Sequence, residues 1–138
     1  MKTYQKEITF NPKRRGFHLV TDEILRDIDI SSFSVGMATI FIKHTSASLS
    51  INENADSSVR GDMEAFFTDT CDNKHYYTHT YEGADDMPSH IKSSVIGSSI
   101  TIPVTNGNFN LGTWQGVYLN EHRDFGTKRT VVVTVIGQ

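Results

Sequence analysis

Apolar and polar residues alternate in several short stretches of the chain, a pattern typical of β-strands that bury one face. The clearest case is 36–45, in which Ala38, Ile40 and Ile42 fall on one side of the predicted strand. Three further stretches are also predicted to be strands: 2–10, 48–53 and 127–137. Short strands separated by turn residues favour antiparallel pairing.

A hairpin is predicted by the Asn106-Gly107 dipeptide, which lies between two β-rich runs and is typical of a two-residue type I′ turn. Counting outward from this turn, the residues expected to lie opposite each other are Val104 and Phe109, Ile102 and Leu111, Ile100 and Thr113, and Ser98 and Gln115. Opposite residues share a side of the sheet, so this face changes from apolar to polar away from the turn. The register predicts that Thr113 and Gln115 face a polar pocket and that Trp114 projects to the other side.

Helical periodicity predicts three helices, over 21–28, 54–67 and 87–97. We expect the first to be N-capped by Thr21 and the second by Asn54 or Asp56, whose side chains accept orphan backbone N–H groups. Apolar stripes that we expect to be buried recur along the last two helices: Val59, Met63, Phe66 and Phe67, then Met87, Ile91 and Val95.

The segment 71–88 between these helices is polar and irregular, with a short strand predicted over 75–79. Taken together, the elements predict one compact single α+β domain over 1–138, with mainly antiparallel β-sheet structure and two or three helices. A chain of this length buries enough surface to fold without a disulfide. It contains a single cysteine, Cys71, which fits a reducing compartment.

Charge and hydropathy exclude two classes of partner. Thirteen basic against sixteen acidic residues give a net charge of −3, which argues against a broad basic face for nucleic acid. The first residues lack an apolar signal core, and no apolar run approaches the length that spans a membrane. We therefore expect a soluble, cytoplasmic protein with neither nucleic acid nor a membrane as its partner.

Two polar segments carry the candidate chemistry. In 80–90, Glu82, Asp86 and His90 lie close together, and imidazole and carboxylate are suitable ligands for divalent metals. The alternative is that Asp86 only caps the helix and His90 is an exposed side chain. In 43–56, His44 follows a strand that Thr45 and Ser46 interrupt, and a turn followed by a capped helix explains the later polar residues but not His44.

Other chemistries find less support in the sequence. Cys71 has acidic neighbours and no group that would lower the pKa of its thiol, and the chain has neither a P-loop nor a dinucleotide-binding glycine fingerprint. Several basic residues are candidates to anchor a phosphate: Lys43, Lys92, Arg123, Lys128 and Arg129. Lys92 is two residues from His90, and the alternative for it is a solvated helix lysine.

Three segments resemble the YjbQ-like family, small proteins associated with a secondary thiamine-phosphate synthase activity. The segments are HTSASLSINENAD, YTHTYEGADDMPSHIKSSVIGSSITIPVTNG and LGTWQGVYLNEHR, and the resemblance extends over essentially the whole chain. It implies a compact α+β fold, assembly as a homotrimer, and a pocket built from the three segments. The implied reaction joins hydroxymethylpyrimidine diphosphate to a thiazole phosphate and releases diphosphate, so the expected partner is a small phosphorylated substrate.

The resemblance implies that most of these polar residues form the pocket, and our hypothesis assigns their roles and adds Lys92 as a phosphate anchor. The expected catalytic residues are His44, Asp56, Glu82, His90 and Gln115. The expected metal ligands are His44, His79, Asp86 and His90. Substrate contacts are expected from Thr45, Ser46, Asn52, Asn54, Lys92, Ser94, Thr113 and Trp114.

A divalent cation would stabilise the charge of a diphosphate leaving group. The histidines suit zinc better than magnesium, which prefers oxygen ligands, so zinc or magnesium is the expected cofactor. The leading hypothesis is a small metal-assisted enzyme. The rival hypothesis is a non-catalytic trimeric module that binds a metal or a small ligand.

Overall fold

The computed structural model describes residues 1–138 and contains eight strands and three helices. In chain order they are β1 (Lys2–Phe10), β2 (Gly16–Leu19), α1 (Thr21–Asp27), β3 (Val35–Ile42), β4 (Ala47–Glu53), α2 (Ser58–Cys71), α3 (Asp86–Ile96), β5 (Ser99–Thr105), β6 (Asn108–Phe109), β7 (Gln115–Glu121) and β8 (Arg129–Gly137). A five-stranded sheet has the order β1-β8-β3-β5-β6 and a three-stranded sheet the order β2-β7-β4. Every strand pair is antiparallel, which confirms the predicted α+β class. None of the helices is long and apolar enough to cross a membrane.

The core lies between one face of each sheet. Ala38, Ile40 and Ile42 of β3 are buried on the same side, as the alternating pattern predicts. Val133 of β8 and Leu119 of β7 are fully buried in the same cluster, so the two sheets share one core. Burial of each of the larger side chains, isoleucine, valine and leucine, stabilises the fold by about 1.5–3 kcal/mol relative to an exposed position.

The hairpin forms as predicted at its turn but not beyond it. Asn106 and Gly107 have φ angles of 49° and 78°, as a type I′ turn requires, and Val104 lies opposite Phe109. The predicted pairings of Ile100 with Thr113 and of Ser98 with Gln115 are wrong, because β6 ends at Phe109 and β7 belongs to the other sheet.

The segment LGTW is a turn that carries the chain from one sheet to the other. The Gln115 backbone N–H donates to the Gly112 carbonyl over 3.0 Å, and the Gly112 N–H donates to the Gln115 side-chain oxygen over 2.8 Å. Trp114 therefore lies in a turn rather than on the far face of a strand, and its side chain is largely exposed.

Two helix starts differ from the prediction. Thr21 is the first residue of α1 rather than its cap, and its hydroxyl accepts the Val117 N–H over 2.9 Å. Helix α2 begins at Ser58 rather than at 54, and Ser57 occupies the N-cap position. Asp56, one residue before the cap, accepts the Ser58 N–H over 2.9 Å. The predicted α2 stripe is only partly covered, since Phe66 is 61% exposed. The strand predicted over 75–79 is a loop.

Helix α3 packs with the opposite face from the one predicted. Val95 of the apolar stripe is 66% exposed, whereas Ser89, Lys92 and Ser93 are buried. The helix lies against β4, and the Ser93 hydroxyl donates to the Ala47 carbonyl over 2.8 Å. Small hydroxyl side chains that bond to backbone therefore form this interface in place of an apolar stripe.

A layer of buried polar groups separates the small sheet from α2 and α3. Lys92 Nζ lies 2.9 Å from Asp72 Oδ1 and has no exposed surface, although the contact is not aligned as a hydrogen bond. Ser48 Oγ lies 2.9 Å from His122 Nε2 and accepts the Asn120 amide N–H over 3.1 Å. Lys92 is therefore neither a solvated helix lysine nor a surface group that a ligand can reach.

A buried ion pair joins the two sheets at one end. The guanidinium of Arg129, the first residue of β8, donates to both carboxylate oxygens of Glu121, the last residue of β7, over 2.8 and 2.5 Å. It also donates to the carbonyl and hydroxyl oxygens of Ser46 over 3.2 and 3.0 Å. One side chain thus fixes three chain segments.

Replacing Arg129 by alanine is expected to lower the free energy of unfolding by about 3–5 kcal/mol, because Glu121 would keep a buried, unpaired charge. Urea denaturation measures this change. Lys43→Ala is the control, since its 3.1 Å pair with Glu7 is half-exposed and should contribute under about 1 kcal/mol. Similar losses in the two variants would contradict the central role of the buried pair.

The stability of the fold should fall as the pH falls below about 6.5. Burial, reinforced by the positive charges of Lys92, Arg15 and Arg129, lowers the pKa of His122 to about 3. An unfolded chain takes up this proton near pH 6.5 while the native state does not, so acid favours unfolding. Between pH 6.5 and pH 5, the wild-type protein should lose about 1.5 kcal/mol more of its free energy of unfolding than His122→Gln does.

Urea denaturation at several pH values measures that slope, with His75→Gln as the control because His75 is exposed. An unchanged slope in His122→Gln would show that this imidazole is not held neutral in the fold.

Candidate functional site

Three of the predicted metal ligands converge beside the start of α3. His79 Nε2 lies 3.2 Å from Asp86 Oδ2, and His90 Nε2 lies 3.0 Å from Asp86 Oδ1. One ligand atom from each residue lies within 4.8 Å of the other two. Asp86 and His90 are four residues apart on the helix and share a face, while His79 comes from the preceding loop.

A backbone carbonyl fixes the tautomer of His90. Its Nδ1 lies 2.7 Å from the Thr45 carbonyl oxygen, and a carbonyl only accepts, so Nδ1 carries the proton. In the neutral ring the Nε2 lone pair then points at the Asp86 carboxylate. Two electron-rich atoms 3.0 Å apart need a proton or a cation between them, and an Nδ1–H bond to backbone is the usual support of a metal-ligating histidine.

Asp86 is ionised although it is 1% exposed. Burial opposes the charge, but the hydrogen bond from Arg123 to Oδ1 (3.0 Å) and the positive charge of Arg123 lower the pKa of the carboxyl group. A lowered pKa keeps the carboxylate charged at neutral pH. The cluster thus offers one anionic oxygen and two imidazole nitrogens.

This donor set fits a tetrahedral metal. The two histidine nitrogens contact different oxygens of Asp86, and one ligand atom from each of the three residues lies within 4.8 Å of the other two, so a single small ion could be shared by all three side chains. Two nitrogens and one oxygen suit zinc better than magnesium. Three protein ligands would leave one position open, as in catalytic rather than structural zinc sites.

Glu82 is the only other predicted carboxylate near the cluster. Its Oε2 lies 3.6 Å from Arg123 Nη2, and its side chain is 66% exposed. Arg123 therefore lies between Glu82 and Asp86. The sequence marked Arg123 only as a candidate phosphate anchor, since nothing local to the segment NEHR indicates a contact with residues 37 positions away.

An open pocket of about 750 Å³ adjoins the cluster. It contains the predicted residues His44, Thr45, His90 and Ser94, and its other lining residues are Phe41, Ile42, Lys43, Ser93, Gly97 and Ser98. No carboxylate lines it. The hydroxyl, imidazole and ammonium groups make it a site rich in hydrogen-bond donors.

His44 is not part of the ligand cluster, contrary to its expected role as a fourth ligand. Its Nε2 accepts the Thr130 backbone N–H over 2.8 Å, so the lone pair on that nitrogen is occupied. Burial, together with the charges of Arg129 and Lys43, outweighs Glu121 and lowers the pKa of the ring. His44 lies in the wall of the pocket as a neutral side chain.

The predicted residues around LGTWQG form a separate group. The Asn54 amide donates to the carbonyls of Thr113 and Gln115, each over 3.1 Å. Asn54 and Gln115 line a second pocket of about 490 Å³ together with Leu19, Thr21, Asp22, Glu23 and Arg26. Strand β4 separates the two groups by about 20 Å within one chain.

The remaining predicted residues have mainly structural contacts. Ser46 is buried against Arg129, and Asn52 accepts the N–H of Glu53 over 2.8 Å. Asp56 is exposed beside the start of α2. Lys92 lies inside the polar layer described above. The expected single pocket is therefore divided within one chain.

Comparison with known proteins agrees with the fold. The family model described as UPF0047 protein YjbQ-like matches residues 6–138. The UPF0047 protein YjbQ of Escherichia coli O157:H7 is 52% identical over 98% of this chain and 99% of its own length. UPF0047 protein YugU of Bacillus subtilis is 35% identical over 99% of each chain.

Solved structures give the same result. A YbjQ-like protein of unknown function from Sulfolobus solfataricus has a TM-score of 0.87 at 22% identity, over 99% of each chain, which concerns the fold alone. An uncharacterized conserved protein of the yjbq/upf0047 family from Clostridium acetobutylicum has a TM-score of 0.77 at 35% identity, over 99% of this chain and 100% of its own. The chain therefore belongs to the YjbQ-like family, UPF0047.

Proposed function

We propose that this protein is a small metal-assisted enzyme whose ion is held by His79, Asp86 and His90 and whose substrate lies in the adjoining pocket. The observation that carries the proposal is the position of the His90 ring, which the Thr45 carbonyl holds at Nδ1 while Nε2 lies 3.0 Å from a carboxylate oxygen of Asp86. Zinc is the ion that this donor set favours. When bound, it would supply Lewis-acid stabilisation of negative charge on a leaving group.

The substrate that we propose is a small phosphorylated molecule. The pocket contains Lys43, Ser94 and Ser98 and no carboxylate, which favours an anionic group. Arg123 adds a positive charge 3.0 Å from Asp86 Oδ1, the same oxygen that His90 contacts. Within the family resemblance, the reaction to test first is the joining of hydroxymethylpyrimidine diphosphate to thiazole phosphate, as a secondary activity.

The second candidate is a non-catalytic module that binds a metal or a small ligand. It is favoured by the exposure of His79, whose side chain is 59% accessible, because an ion there would lie near the surface. The two candidates differ in turnover. A synthase activity that is unaffected by loss of His90 would favour the module.

We also propose a homotrimer. The outer face of the five-stranded sheet exposes several large apolar side chains, among them Val35 (65%), Met37 (50%) and Ile136 (47%). Phe41 lies on the same face and also lines the pocket, so a neighbouring copy on this face would border the site. Contacts between copies would cover apolar surface that one chain leaves in water.

The cytoplasm is the location that we propose. Cys71 is free and buried, and it is the only cysteine of the chain. A fold without a disulfide is compatible with a reducing compartment.

His90→Ala should remove most of the bound zinc and any synthase activity while leaving the fold intact, because it deletes one of three ligands. Elemental analysis of the purified protein, together with a product assay, measures both effects. His75→Ala is the matched control, since His75 is an exposed histidine of the preceding loop and lies outside the cluster. Full metal content and full activity in His90→Ala would show that the site is assigned wrongly.

Met37→Lys should convert a trimer to monomers, because it places a charge in the centre of the proposed contact face. Light scattering coupled to size exclusion compares the particle mass with that of one 15.5 kDa chain. Trp114→Ala is the comparison variant and should leave the trimer intact, since Trp114 lies in a turn outside this face. A monomeric wild-type protein, or a trimer that tolerates Met37→Lys, would contradict this assembly.

A further inference from the structure

His44 is held at the wall of the pocket by a single backbone group. The Thr130 N–H donates to its Nε2 over 2.8 Å, and an amide N–H has no lone pair to accept with. Nε2 is therefore unprotonated. A neutral imidazole carries its one proton on the other nitrogen, so Nδ1 is an N–H donor.

The Nδ1 atom of His44 is open to a ligand. It makes no hydrogen bond within the chain, and it is not fully buried. The ring belongs to the lining of the 750 Å³ pocket. An accessible donor that the protein does not use thus belongs to a residue that lines the pocket.

We propose that His44 is a fixed, uncharged hydrogen-bond donor that presents Nδ1–H to an oxygen atom of the pocket's ligand. The identity of the pocket as the substrate site rests on the proposed function above. The role differs from that of a general base or a metal ligand, since both need a free lone pair on the ligand side. His44 offers that side only a proton already in place.

The neighbouring histidine has the complementary arrangement. His90 donates from Nδ1 to the Thr45 carbonyl and keeps a lone pair on Nε2, whereas His44 accepts on Nε2 and keeps a proton on Nδ1. Backbone groups set both tautomers, and Thr45 follows His44 directly in the chain. One wall of the pocket therefore combines an electron-pair donor for a cation with a proton donor for an oxygen atom.

The surroundings of His44 favour the neutral ring. Burial is the main cause that lowers the pKa of the ring, the positive charges of Arg129 and Lys43 act in the same direction, and the negative charge of Glu121 opposes them. Glu121 is already paired with Arg129 on both carboxylate oxygens. A donor fixed before the ligand arrives needs little reorganisation, which is the condition under which a hydrogen bond stabilises developing charge well.

Nitrogen-15 NMR of the imidazole rings in metal-free protein at neutral pH tests the tautomer without reference to metal or activity. We expect His44 to show a protonated Nδ1 and an unprotonated Nε2 that accepts the hydrogen bond from the Thr130 N–H. A proton on Nε2, or a ring that exchanges between tautomers, would overturn the inference.

Two variants test the contact with the ligand, using inorganic phosphate as the probe on protein that contains one equivalent of zinc. The amide nitrogen of asparagine superposes roughly on Nδ1, and the terminal amide of glutamine roughly on Nε2. His44→Asn should therefore keep phosphate affinity within about threefold, while His44→Gln should weaken it by about tenfold, the effect of one lost hydrogen bond to a charged group.

Thermal denaturation of both variants checks that each is folded before affinities are compared. Equal affinities in the two variants, or no phosphate binding by wild-type protein, would overturn the ligand contact of His44. The phosphate titrations are repeated on metal-free protein. Failure of zinc to bind, with the NMR tautomer as expected and the difference between the two variants present in metal-free protein, would instead contradict the metal site of the proposed function and leave the role of His44 standing.

Discussion

The buried contact between Arg129 and Glu121 is the constraint on which the geometry of the site depends. On one side, Arg129 holds both oxygens of Ser46, and the adjacent Thr45 carbonyl orients His90. On the other side, Glu121 accepts the backbone N–H of Arg123 over 3.1 Å, and the Arg123 side chain reaches Asp86. Buried ion pairs often add little net stability, so the clearer effect here is on position, because one rigid contact fixes the groups that orient both Asp86 and His90.

The sequence was sufficient to predict the elements in which the apolar positions are also the buried ones, and the turns with a characteristic dipeptide. The strand containing Ala38 and Ile40 and the Asn106-Gly107 turn are of this kind. The buried face of α3 was not predictable in this way, because its partner surface on β4 is polar and the helix is held by Ser93 rather than by an apolar stripe. Beyond Phe109 the apolar pattern continues although the chain leaves the sheet, so local alternation does not identify which sheet a strand joins.

The candidate site shows the same division between local and distant information. The spacing of Asp86 and His90 places them together on a helix, and the sequence suffices for that. The contact of His90 with the Thr45 carbonyl joins residues 45 positions apart, and the bond from Thr130 to His44 spans 86. These distant backbone contacts decide which nitrogen of each ring is free, and residue type alone does not contain that information.

The polar packing of α3 reverses the usual relation between hydrophobicity and tolerance to substitution. Val95 is exposed, so a polar residue in its place leaves the interface with β4 untouched. Ser93 is small and hydrophilic, yet its hydroxyl donates to one carbonyl of β4, and an apolar residue in its place would leave that buried carbonyl without this partner. Substitution should therefore be tolerated better at apolar Val95 than at polar Ser93, and a hydropathy profile would misidentify which of these two residues anchors the helix that carries Asp86 and His90.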